Sequence, residues 1–124
     1  MNLATWTKSL IPAFTIAISQ DPWDATNRLV YADWCEEDGD EREGRRQRTI
    51  VEDLPRMREA AQIAFDHAYA ALVTRRPAEW ADDHVYLEDV VERTLQQVSL
   101  SGLTSYEVRR LSNTFVSEQL RDER

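Results

Sequence analysis

Asp33 stands inside Arg28-Leu29-Val30-Tyr31-Ala32-Asp33-Trp34-Cys35, a stretch otherwise rich in apolar residues. A carboxylate there must be hydrogen-bonded or paired if it is buried. It either caps a neighbouring helix or pairs with an arginine, or it serves as a catalytic group. General acid–base work needs a partner, and no His, Ser or Lys lies near it in sequence. The structural role is the preferred reading, and an enzyme using Asp33 is the last of the function classes. Immediately downstream the chain carries Glu36, Glu37, Asp38, Asp40, Glu41 and Glu43 against Arg42 alone. An EF-hand does not fit: Gly39 or Gly44 at the sixth position puts Arg45 or Ile50 where a bidentate Glu is required. The acidic run is a solvated face balanced by nearby arginines, or a surface that docks a partner protein.

The sign then reverses at Arg45, Arg46 and Arg48, which with Arg56 and Arg58 form the main basic cluster. Such a cluster can meet RNA or DNA phosphates, but this run lacks aromatics for base stacking. His67 and His84 are isolated, with no metal-ligand spacing, so no metal and no cofactor is expected. One cysteine, Cys35, excludes an internal disulfide and suits a reducing cytoplasm. A formal charge of −8 disfavours a general duplex binder, whose footprint is usually basic.

The elements that hold these residues read as helices throughout. Asp24 is a good N-cap, through the N–H of Asn27, and Gly39 supplies a left-handed closing residue. A central helix over about Ala25 to Asp38 follows, with Val30, Tyr31, Trp34 and Cys35 as its broad apolar face. Ahead of it, Lys8 and the apolar run to Ile18 fit a helix from about Pro12 to Gln20 better than a signal peptide. The run is also too short to span a membrane. Phe14, Ala17 and Ile18 would face the central helix.

Leu54-Pro55 punctuates the chain and starts a long helix to Arg75, with Met57, Ala61, Phe65, Ala68 and Leu72 at helical spacing. Pro77 to Ala81 is a connector, Trp80 fills a core edge, and Asp82 or Asp83 caps a helix to about Val98. Leu87, Val91, Leu95 and Val98 share its face. Thr104-Ser105-Tyr106-Glu107 is a capping box for a last helix, with Leu103 and Val108 as a hydrophobic staple.

The segment Asp21-Pro22-Trp23-Asp24, Arg28 to Glu37 and Gly39-Asp40 resembles the bacterial repeat-companion domain. That is a short helical module of unknown function, often at the N-terminus of longer chains with leucine-rich or other repeats. The resemblance covers about Pro12 to Asp40. It departs at Cys35, where the family has leucine, and at Arg46-Gln47, where the family has an apolar pair. It implies a helical module and assigns no catalytic residue. The expected fold is all-α, a small bundle of five or six helices. Residues 1–52 are expected to form the family-like module and 53–124 a three-helix segment packed on it, together one structural domain. Asp24, Asp33, Trp34 and Gly39 are its structural residues. The expected function is a non-enzymatic protein–protein interaction module or accessory subunit of a larger bacterial assembly, cytoplasmic and without a membrane span. Its partner-binding residues are Glu36, Glu37, Asp38, Asp40, Glu41 and Glu43. The alternative is a small helical subunit of an RNA- or DNA-handling complex that uses the arginines.

Overall fold

The computed structural model describes residues 3–75 and 80–122, with side chains for 12–74 and 83–121. The described residues form five α-helices and no strand, a small all-α bundle: α1 Leu3–Gln20, α2 Ala25–Glu37, α3 Glu41–Arg75, α4 Trp80–Val98 and α5 Ser105–Asp122. They divide into two compact units, Met1–Leu54 and Pro55–Arg124. No described helix is long and apolar enough to cross a membrane.

Pro12 and Pro55, expected at helix starts, both lie inside helices. Pro12 is interior to α1, which begins at Leu3, and Pro55 is interior to α3, which begins at Glu41. A proline in a helix interior forfeits one backbone bond and crowds the carbonyl four residues back, at a cost of about 3 kcal/mol. A helix of 35 residues with a buried face on either side of the proline absorbs that cost. Asp83 is a second correction: it lies within α4 rather than capping it, because the helix already starts at Trp80. The roles expected of Pro77 and of the Trp80 side chain fall outside the described residues.

In the first unit, α1 and α2 pack as a pair. The Phe14 ring lies 5.2 Å from that of Tyr31 and 5.4 Å from that of Trp34. Asp24 caps α2, but its carboxylate accepts from the N–H of Thr26 at 2.9 Å rather than from Asn27. At the other end Gly39 has φ +94°, and the Asp40 N–H reaches the Cys35 carbonyl at 2.8 Å. Together with the longer Gly39 N–H to Glu36 carbonyl bond, this is a Schellman closure.

The face that α2 buries matches the expected one at Cys35 alone. Its fully buried residues are Arg28, Ala32 and Cys35, while Val30 is 51% exposed and Tyr31 and Trp34 are half-buried. The reason lies opposite. Gly44 brings α3 so close that a Cβ there would sit 2.7 Å from Glu36 Cγ and 3.1 Å from the Ala32 carbonyl oxygen. The contact therefore demands small residues at the crossing, with a polar pocket beside it for Arg28.

In the second unit Leu87, Val91 and Leu95 of α4 are fully buried, and α4 packs on α5 through Val108, Leu111, Phe115 and Val116. The Pro55–Arg75 stretch of α3 adds Met57, Ala61 and Phe65, the last edge-on to Phe115 with centroids 6.2 Å apart. The capping box of α5 is formed in both directions. The Thr104 N–H donates to Glu107 Oε1 at 2.9 Å, and the Glu107 N–H donates to Thr104 Oγ1 at 3.1 Å.

Candidate functional site

The acidic residues singled out from the sequence gather at the end of α2, the turn after it and the first turn of α3. The Schellman closure places Asp40 as the N-cap of α3, where its Oδ1 accepts the Glu43 N–H at 3.3 Å. Glu36, Asp40 and Glu43 have partners within the unit. Glu36 accepts from Arg48 Nε at 2.7 Å, Asp40 caps α3, and Glu43 holds Arg46 through two bonds of 3.0 Å. Glu37, Asp38 and Glu41 are exposed around the same turn. Glu36, Glu41 and Arg45 line a shallow open depression beside it.

Asp33 is exposed on α2, and the Arg48 guanidinium bridges its carboxylate to that of Glu36. The pairing with an arginine is thus observed, but not in a buried setting. The hydrogen bond from Arg48 holds the Glu36 carboxyl below its usual range. In return Glu36, and then Asp33, push the Arg48 guanidinium further up.

The other arginines of the basic cluster are spread over the molecule. Arg46 lies along Glu43 on α3. In the second unit Arg56 donates to the Val98 carbonyl at the end of α4. Arg58 meets Glu118 at 3.2 Å and lies over the Phe115 ring, 5.4 Å from its centroid. Arg45 is exposed beside the acidic residues of the depression.

Sequence reasoning missed the polar core of the first unit. Arg28 is 1% exposed, and its Nε and Nη2 donate to the Pro22 carbonyl at 3.0 and 2.9 Å. Its Nη1 donates to Gln47 Oε1 at 3.0 Å, and Gln47 Nε2 donates on to Glu43 Oε1 at 2.8 Å. A buried cation is thereby linked, through one amide, to the acidic segment. Gln47 is buried beside Arg28, which is the reason an amide fits there. The Asp40-x-x-Glu43 spacing signals the start of α3 but not the burial of Arg28.

Cys35 is buried beside Tyr31. Burial raises the thiol, with a smaller opposing effect from its hydrogen bond with Tyr31; burial also raises the Tyr31 phenol, and that bond adds to it. Such a thiol is the opposite of an activated nucleophile. Asp83, 4% exposed, has no hydrogen-bond partner for Oδ2 among the described residues. His84 pairs with Glu88 one turn on, and His67 is exposed. Among the described residues no three His, Cys, Asp or Glu are placed to hold a metal ion. No protein-family model, curated protein or solved structure matches the chain.

Proposed function

We infer that the protein is a non-enzymatic helical interaction module, an accessory subunit of a larger assembly, and that it docks a cationic partner protein at the acidic turn between α2 and α3. The observation that carries this is the exposure of Glu37, Asp38 and Glu41 around a turn whose backbone is fixed from both sides by a Schellman closure and an N-cap. Fixed, exposed carboxylates steer a cationic partner with little ordering cost. The resemblance to the repeat-companion domain, a short helical module often at the N-terminus of longer chains, supports an accessory role. The arginines support the nucleic-acid alternative less well, since Arg46, Arg48 and Arg58 face carboxylates of this chain and Arg56 a backbone carbonyl.

Affinity capture from a host lysate, with and without nuclease, tests the choice. A protein partner retained after nuclease treatment is the expected result. Loss of every captured component on nuclease treatment would favour the nucleic-acid reading.

A further inference from the structure

The turn between α4 and α5 holds a cavity of about 160 Å³, lined by Gln96, Ser99, Gly102, Leu103, Ser105 and Val108. In a chain with 31% charged residues, none of these side chains carries a charge. The walls are fixed by local bonds. The Ser99 N–H reaches the Leu95 carbonyl at 2.9 Å, and the reciprocal Thr104–Glu107 box sets the start of α5. Gly102 lies between them at φ +71°, and no atom stands within 4 Å of the place its Cβ would take. Next in sequence to the lining Ser99 and Ser105 are Leu100, 82% exposed, and Tyr106, 63% exposed.

The lining selects a ligand by its chemistry. The Gln96 amide and the Ser105 hydroxyl each offer a donor and an acceptor, and neither has a hydrogen-bond partner among the described residues. Ser99 Oγ is a third such group, 3.4 Å from Ser101 Oγ. Leu103 and Val108 add carbon surface. Hydroxyl groups on a carbon ring match this mixture. A cation finds no carboxylate in the lining and an anion no cationic side chain, and the Glu107 carboxylate already takes the Thr104 N–H at the start of α5. The volume is below the roughly 300–1,000 Å³ of a drug-sized site, which limits the ligand to one ring. We propose that this cavity binds a neutral polyhydroxylated ring of the monosaccharide class, with Gln96 and Ser105 as its hydrogen-bonding residues. Such binding does not depend on docking at the acidic turn.

Titration of the isotope-labelled protein with glucose, galactose or mannose, followed by heteronuclear NMR, tests it. At least one sugar should shift the Gly102 and Ser105 amides and the Gln96 side-chain amide. The shifts should saturate in the millimolar range, which about a dozen non-hydrogen atoms can supply. Gln96→Leu should weaken that binding by about tenfold at an unchanged melting midpoint, since one donor–acceptor group is lost. Gln97→Leu, which changes an exposed glutamine outside the lining, should leave it intact. Absent or unsaturable shifts with all three sugars would overturn the proposal, as would binding undiminished by Gln96→Leu. Inorganic phosphate that saturates the same amides while no sugar does would also overturn it, because the start of α5 would then be an anion site.

Discussion

Arg28 and Gln47 show how much of the first unit rests on single polar side chains. The guanidinium is buried, and one of its donors ends on the Gln47 amide. Gln47→Leu keeps the volume and removes the Oε1 that accepts from Arg28 Nη1. It should cost about 1–3 kcal/mol in urea unfolding. A neutral result would mean that water reaches Arg28. Gly44→Ala acts by crowding instead: the added methyl must displace Glu36 and approach the Ala32 carbonyl. A helix-propensity gain of up to about 1 kcal/mol opposes an overpacking cost of about 1–3 kcal/mol, so net destabilisation is expected. A raised midpoint would show that the two helices separate easily. Asp33→Asn, by contrast, should barely move the midpoint, because its carboxylate is largely in solvent.

The Cys35 thiol and the Tyr31 hydroxyl give the pH dependence its sign. Both acids are raised in the folded chain, from ordinary values of 9.0 and 10.0. The unfolded chain therefore releases these protons first as pH rises. Stability should be complete below about pH 8.5 and fall above it, a loss that Cys35→Ala makes shallower. Urea midpoints across that range check this, and a flat profile would contradict it.

At the scale of the elements, what is local was legible in the sequence and what is tertiary was not. The Asp24 cap, the Gly39 closure and the Thr104–Glu107 box depend on a few adjacent residues, and each is formed. The Leu87, Val91 and Leu95 face of α4 was also legible, because it buries an ordinary apolar stripe. Pro12 and Pro55 were misread because punctuation rules weigh the lost backbone bond and not the packing that offsets it. The face of α2 was misread because a helical wheel ranks side chains by polarity and is blind to Gly44 and Gln47 opposite. Pro55→Ala restores one backbone bond in an exposed position of α3, and part of the gain is lost to a freer unfolded chain. It should stabilise by about 1–2 kcal/mol in urea unfolding. A destabilised variant would show that the proline shapes the helix rather than burdening it.

For the whole molecule, a charge of −8 sets the balance of long-range forces, and the acidic turn is where it meets a fixed backbone. Within the acidic run, Glu36, Asp40 and Glu43 hold the fold: they bind Arg48, the start of α3, and Arg46 with Gln47. Glu37 and Glu41 are exposed and can be altered without touching those bonds. The central claim is that they serve a partner. The most direct measurement is the association rate of the captured partner with the Glu37→Lys/Glu41→Lys protein, followed against salt and beside its melting curve. Docking at this turn predicts an unchanged melting midpoint, with association that slows by at least about tenfold at low salt and loses its salt dependence. A melting midpoint lowered by several degrees, with association as fast and as salt-sensitive as in the parent, would contradict it.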